Sequence, residues 1–335
     1  MLMGSKWKRS LLANFEPSPL NSDSIENIKD KIMEYKTRKL FADDGFTNGF
    51  TVLATKHAAN GYNRLGDIGF PCSAGKPSWL IAQWHSKHCL WAERKGSDPY
   101  TITDGITKTV RYNPDDRSVF MQLNARNVYE GRAAGSELWP HLLLEQTPLF
   151  DREKISDEDR KFYDTDSDKM LLSLDIRCPE YGDTTNPEGI NACQFLAYFY
   201  LTYKHSTGEA GKRFIWFGVG LFDSRGPIDT YWNGDSVGTE MIYSVSTAET
   251  YGSLDKSFSA PGHIMPDNDW HEIRLDLLPH IDRCLELANR DNTFGEQVTR
   301  DDFYFNGNNI GFEIHGNYNV AFEIKNYNIT SYRKA

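Results

Sequence analysis

Four tryptophans of this chain stand among polar side chains: Trp84 between Gln83 and His85, Trp139 before His141 and Glu145, Trp216 before Asp223 and Arg225, and Trp232 before Asn233 and Asp235. An indole face stacks on the C–H groups of a sugar ring, while planar polar side chains hydrogen-bond its hydroxyls. A single tryptophan is more often core than platform. Several in polar surroundings point to a site. Trp84, Trp139, His141, Glu145, Trp216, Asp223, Arg225 and Trp232 are therefore the candidate ligand-binding residues, and the ligand they suit is a polysaccharide or oligosaccharide.

Cleaving a glycosidic bond needs more. Two carboxylates must face each other across a cleft, about 5–9 Å apart. Glu145, Asp175, Glu240, Glu272 and Glu313 are strand or near-strand acids, and no spacing pairs any two of them. Glu272 and Asp276 share a face with Arg274 and read as a solvated ladder. Asp164, Asp166 and Asp168 imitate the start of a calcium loop, but the glycine that should follow is missing, so no EF-hand is expected. There is no GxSxG, no GxGxxG and no GxxxxGK[ST], which argues against a serine nucleophile of that type and against nucleotide chemistry. No cofactor is required by any pattern present.

The element that would carry such a site is Arg213 to Arg225, RFIWFGVGLFDSR. Ile215, Phe217, Val219 and Leu221 fall on one face of an extended chain. Phe214, Trp216 and Phe222 fall on the other, with Gly218 and Gly220 between them. A strand apolar on both faces is covered on both sides, so this one belongs at the centre of a large sheet. The two glycines leave a trough beside Trp216 where a backbone or a flat ligand can come close. Asp223 to Pro227 marks the rim.

Period-two alternation recurs along the chain. Trp79 to Arg94 places Trp79, Ile81, Gln83 and His85 on one face and Leu80, Ala82 and Trp84 on the other. Ser118 to Arg126, the stretch ending at Gln146, Met170 to Arg177, Asn191 to Lys204, Met241 to Ser246, Trp270 to Leu277, Ile310 to His315 and Val320 to Ile329 also read as strands. Helical spacing occurs in Ser24 to Leu40 and in Leu278 to Asn292, the second with Pro279 in its first turn. Nine or ten strands, two helices and no βαβ alternation predict an all-β chain: an antiparallel two-sheet β-sandwich with one or two peripheral helices. Residues 1–42 are expected to be an N-terminal extension with a helix, and 43–335 a single sandwich domain.

Trp270-His271-Glu272-Ile273-Arg274-Leu275-Asp276-Leu277, followed by Asn309 to Gly316 and Val320 to Tyr327, resembles the closing strands of jelly-roll carbohydrate-binding modules. The resemblance covers roughly 60 of the 335 residues and implies a jelly roll that binds carbohydrate, with a structural calcium as the metal such folds often hold. It transfers no ligand-binding residue. Gln83-Trp84-His85 resembles the Gln-x-His pair of jelly-roll polysaccharide lyases. That likeness implies a second reading, in which Gln83 lowers the pKa of the proton α to a uronate carboxyl and His85 or a tyrosine removes it. Arg126 or Arg132 and Tyr198 or Tyr200 would complete the set, with Gln83, His85, Arg132 and Tyr200 as the catalytic assignment. The longer arginine-containing and C-terminal tyrosine motifs of those lyases are absent. The alternative function is thus a polysaccharide-degrading enzyme, a lyase or a glycoside hydrolase, using the same face.

Composition narrows the partners. The 335 residues are 39% hydrophobic and 13% aromatic, enough for a sizeable β-rich core. A net charge of -10 argues against nucleic acid, whose phosphates need clustered Lys and Arg. No apolar run is long enough for a membrane span. Five scattered cysteines form no metal spacing; there is room for one bridge, Cys178 and Cys193 being the closest pair in sequence, and buried free thiols are expected instead. Leu11-Leu12-Ala13 is too short for a signal-peptide core. An extracellular or periplasmic place follows if a leader has been removed, and a cytoplasmic one otherwise.

Overall fold

The alternating segments pair into two sheets in a computed structural model that describes residues 35–56, 62–93, 97–129, 139–151, 153–183, 191–205, 214–235, 238, 240–251 and 267–335. Sixteen strands occur among the described residues. They are β1 (Tyr35–Lys39), β2 (Phe50–Leu53), β3 (Arg64–Ile68), β4 (Trp79–Ala82), β5 (Thr101–Thr103), β6 (Lys108–Asn113), β7 (Ser118–Asn124), β8 (His141–Gln146), β9 (Lys169–Asp183), β10 (Ala192–Tyr203), β11 (Phe214–Asp223), β12 (Tyr231–Gly234), β13 (Met241–Val245), β14 (His271–Asp276), β15 (Phe303–His315) and β16 (Tyr318–Lys334). One sheet runs β14-β9-β16-β7-β6-β5, with β1 also pairing with β16. The other runs β12-β13-β11-β10-β15-β8-β4-β2-β3. This is the two-sheet β-sandwich that the patterning predicts. It departs from a purely antiparallel one at two pairings, β11 with β13 and β2 with β4, which are parallel.

The core lies between the sheets. Ile215, Phe217 and Val219 of β11, Phe195, Ala197 and Phe199 of β10, and Ile310, Phe312 and Ile314 of β15 face Val320, Phe322 and Ile324 of β16 and Leu172, Leu174 and Ile176 of β9, all fully buried. Phe195 stacks on Phe322 with ring centroids 4.6 Å apart, tying one sheet to the other. β11 therefore sits where its sequence puts it, with β13 on one side and β10 on the other.

Four α-helices are present among the described residues: α1 (Ala125–Val128), α2 (Asp157–Arg160), α3 (Thr247–Tyr251) and α4 (Leu278–Arg290). In α4, Leu278, Ile281, Cys284, Leu285 and Ala288 are the buried residues of the expected amphipathic face. The first predicted helix is corrected over its end: Tyr35–Lys39 is strand, and residues 1–34 lie outside those described. Leu40 and Phe41, placed in the extension by the sequence, are core residues. Asn328 Oδ1 accepts both of their backbone N–H groups, at 3.1 and 3.3 Å, and Leu40 N–H donates to Ile329 O. Over Tyr35–Lys39, pairing with β16 outweighs the helical spacing.

The other strand expectations hold with two adjustments. β4 is only four residues long, and the strand read across Trp79 to Arg94 ends at Ala82. β7 gives way to α1 at Ala125, where Asn124 caps the turn by accepting from Asn127 N–H. Among the described residues no helix is long and apolar enough to cross a membrane. All five cysteines are free thiols, Cys178 and Cys193 both buried.

A candidate carbohydrate cleft

Strand alternation sends every second side chain of β8, β15, β10 and β11 away from the core, onto the outer face of the nine-stranded sheet. There they line a cleft of about 910 Å³, closed on one flank by Arg225 to Tyr231. Register places its floor in rows. His141, Glu313, Gln194 and Asp223 stand side by side across β8, β15, β10 and β11. Four residues along β8, β15 and β10, and five along β11, Glu145, Asn309, Tyr198 and Gly218 form a second row.

Asp223 reaches this face through a β-bulge. Phe195 pairs with Phe222 and Leu196 with Gly220, leaving Leu221 as an extra residue on β11. The inserted residue turns Phe222 into the core and Asp223 into the cleft. Simple alternation had put Phe222 on the face of Trp216, and the bulge corrects it. Asp223 is tightly held. Its Oδ1 accepts from the Arg225 backbone N–H and Nε, both at 2.9 Å, and its Oδ2 from Arg225 Nη2 at 2.6 Å and Gln194 Nε2 at 2.8 Å. Burial alone would raise this carboxyl; the Arg225 bonds and Gln194 outweigh it and hold Asp223 below its ordinary value.

Glu313 and Glu145 go the other way. Burial, reinforced by the negative charge of Asp235, pushes Glu313 up to about 7 against the pull of His85. His141 Nε2 lies 4.0 Å from Glu313 Oε2. Burial likewise brings Glu145 to about 7, although Tyr62 Oη donates to it at 3.0 Å and Trp84 Nε1 at 3.3 Å. Burial raises the phenols of Tyr62, Tyr198 and Tyr200, so all three are neutral hydrogen-bonding groups.

The aromatic walls come from two sides. Trp84 stacks on Tyr62, centroids 6.1 Å apart and planes within 8°. Trp216 packs against Tyr200 at 4.4 Å and Phe214 at 5.1 Å. Tyr198 occupies the trough that the glycines leave: a Cβ on Gly218 would lie 2.2 Å from Tyr198 Cε1. The close approach expected there is thus made by the protein's own ring. Trp139 lines the cleft near His315, at 5.5 Å.

Most of the residues singled out from sequence meet here: Trp84, His85, Trp139, His141, Glu145, Tyr200, Trp216, Asp223 and Arg225 all line the cleft. Three do not. Gln83 is fully buried, donating to the Leu53 and Leu90 carbonyls at 2.7 and 2.8 Å and accepting from Leu90 N–H at 2.7 Å. It does not share a face with His85, because β4 has ended and His85 takes φ 59°, which turns its ring into the cleft. Trp232 lies on the edge strand β12 and donates Nε1 to Asp291 Oδ2 at 2.7 Å, outside the cleft lining. Arg132 lies outside the described residues, and Arg126 is an exposed residue of α1. Tyr200, its phenol raised by burial, is unsuited to take a proton.

Other acids are spoken for. Arg274 bridges Asp175 at 3.2 Å and Glu272 at 2.6 Å; of the ladder expected of Glu272, Arg274 and Asp276, the Glu272 contact is present, while Asp276 Oδ1 accepts from the Met170 and Leu278 N–H groups. Asp164 pairs with Lys204 at 3.2 Å and Asp166 with Arg333 at 2.7 Å, so these two carboxylates of the calcium-like run face cations. Sequence reasoning passed over Tyr62, Gln194 and Asn309, which also line the cleft. The signal for Gln194 was available: it continues the Leu196, Tyr198, Tyr200 face by one more alternation.

No known protein-family pattern matches the chain, and no curated protein matches it. Among solved structures it is similar to a family 12 xyloglucanase from Bacillus licheniformis, with 10% identity and a TM-score of 0.39, covering 89% of this chain and 100% of that one. It is also similar to a Cel12A cellulase variant of Rhodothermus marinus (10% identity, TM-score 0.37, 68% and 86% covered) and a family 11 xylanase from Neocallimastix patriciarum (11%, 0.34, 71% and 94%). At this level the likeness says nothing about what the cleft binds.

Proposed function

We propose that the cleft binds a neutral polysaccharide or oligosaccharide chain. The observation that carries this reading is the interleaving of Trp84, Trp139, Tyr198, Tyr200 and Trp216 with hydrogen-bonding groups along one cleft of about 910 Å³. That size is at the upper end of ligand pockets, roughly 300–1,000 Å³. The rings supply stacking faces, and Asn309, Gln194, Glu313 and Arg225 supply groups for hydroxyls.

Charge supports a neutral ligand. Glu145, Asp223, Asp229, Asp235 and Glu313 line the cleft, and among its described lining residues Arg225 is the one Lys or Arg, already spent on Asp223. A polyuronate would meet like charge. The β-elimination reading has lost its Gln83–His85 face and gains nothing from this environment. Affinity electrophoresis in gels containing barley β-glucan, xyloglucan, arabinoxylan or polygalacturonate tests the reading. Retardation by a neutral polymer and not by polygalacturonate is expected. Free migration in every neutral gel, with no spot bound on a glycan array, would sink it.

A second reading, glycoside hydrolysis, is favoured by one observation: Glu313 stands in the cleft with its carboxyl pushed up to about 7 by burial, as a proton donor requires. Release of reducing ends from a bound polymer, lost in Glu313→Gln, would establish it.

A further inference from the structure

Whether Glu313 can act depends on the side chain directly across from it. In the pairing of β15 with β10, Glu313 stands opposite Gln194, and in the pairing of β10 with β11, Gln194 stands opposite Asp223. Cross-strand neighbours on one face bring their Cβ atoms within about 4.5–5.5 Å. The two carboxyl groups of a glycosidase that works through a covalent intermediate lie about 5–5.5 Å apart. The position that register sets within that reach of Glu313 on the neighbouring strand is occupied by an amide. It carries no negative charge to attack an anomeric carbon, and its Nε2 is committed to Asp223 Oδ2 at 2.8 Å.

Among the described acids of the cleft, the two that register places, Glu145 and Asp223, do not replace it. Glu145 lies four residues along β8 from His141, the residue opposite Glu313. At about 3.4 Å per residue and 4.8 Å per strand, its backbone is about 14 Å from that of Glu313. Asp223 is two strands from Glu313, about 10 Å. Arg225 and Gln194 fill both lone-pair positions on each of its oxygens, leaving none to take a proton from water. Asp229 and Asp235 line the cleft from the flank and from the chain leaving β12, outside that register, and the configuration of the product tests them.

We infer, on the glycan-binding reading above, that this cleft holds a neutral glycan without cleaving it, because Gln194 stands where the nucleophile would have to be, and that Gln194→Glu by itself completes a hydrolytic pair with Glu313. In that variant the introduced carboxylate bonds to the anomeric carbon as the glycosidic C–O bond breaks, and Glu313 gives its proton to the departing oxygen. Glu313 then takes a proton from water, whose oxygen bonds to the anomeric carbon as the ester C–O bond breaks. One water is consumed, and both carboxyl groups return to their starting states.

The test incubates wild type and Gln194→Glu with the neutral polymer that retards the wild type, among barley β-glucan, xyloglucan and arabinoxylan, and measures reducing ends and the configuration of the first product by NMR. Wild type is expected to release none above the blank. The variant is expected to exceed that background by about 100-fold or more, with retained configuration. Gln194→Ala, which opens the same position to added azide, is expected to yield a glycosyl azide of inverted configuration, and it carries the test if the glutamate variant does not fold. Hydrolysis by wild type overturns the inference; inverted product would assign the base to Asp235 instead. A folded glutamate variant that binds the polymer and releases nothing also overturns it. If no polymer binds the wild type, the binding reading itself fails and takes this inference with it.

Discussion

Tyr198 lies against the backbone of Gly218, so closely that a Cβ there would sit 2.2 Å from Cε1 and 2.7 Å from Cδ1 of its ring. The phenol that forms part of the cleft floor is thus positioned by the absence of a side chain on the neighbouring strand. Gly218→Ala must move that ring, and is expected to weaken binding of a retarding polymer by about 10-fold or more. Gly220→Ala meets the Ile228 Cδ1 and Thr247 Cγ2 side-chain ends at 3.0 and 3.3 Å, with Val245 O in ordinary contact at 3.6 Å, and is expected to change affinity much less. Titration calorimetry of both variants checks the contrast. Equal losses would remove the role assigned to the Tyr198–Gly218 contact.

Two tryptophans that look alike in sequence should behave differently. Trp216 faces the cleft beside Tyr200, whereas Trp232 is bound to Asp291 outside it. Trp216→Ala is expected to lower glycan affinity by about 10- to 30-fold, with Trp216→Phe intermediate. Trp232→Ala is expected to leave affinity within about twofold of wild type. Quenching of intrinsic fluorescence on titration with oligosaccharide separates the two, and the reverse ranking would move the site.

Glu145 makes stability depend on pH. Its carboxyl titrates near 7 in the folded chain against an ordinary value of 4.5, because burial disfavours its charged form. Between those values the folded state keeps a proton that the unfolded state has released, so stability falls as pH rises from about 4.5 to about 7 and levels off above. The ceiling for this group is about 3 kcal/mol. Glu313, raised to about 7 as well, acts in the same direction. Urea unfolding of wild type at pH 5 and pH 8 is expected to show the loss, and Glu145→Gln to reduce it. An unchanged difference in that variant would mean that Glu145 does not titrate in this window.

Gln83 is a fastener, not part of the cleft chemistry. Gln83→Leu would leave the Leu53 and Leu90 carbonyls and the Leu90 N–H without their side-chain partner. A loss of about 3 kcal/mol in unfolding free energy is expected, from roughly 1–3 kcal/mol for each buried group left unmade and partial relaxation. The folded fraction should bind glycan as wild type does. A large affinity loss with normal stability would return Gln83 to the site.

The sandwich and much of the cleft were legible in the residues themselves. Alternation alone put His141, Leu143 and Glu145 on one face of β8 and Leu142 and Leu144 on the other, because successive side chains of a strand must point to opposite sides. The same rule marked Ile215, Phe217 and Val219 as core, and the pattern in Leu278 to Asn292 as an amphipathic helix. Tertiary structure decided what alternation cannot carry. An extra residue at Leu221 turned Asp223 into the cleft, and a left-handed backbone at His85 separated it from Gln83. Pairing with β16 drew Tyr35–Lys39 out of a helical pattern. Above all, only strand register set Gln194 across from Glu313: sequence spacing says which way a side chain points, and not which residue more than a hundred positions away will stand beside it.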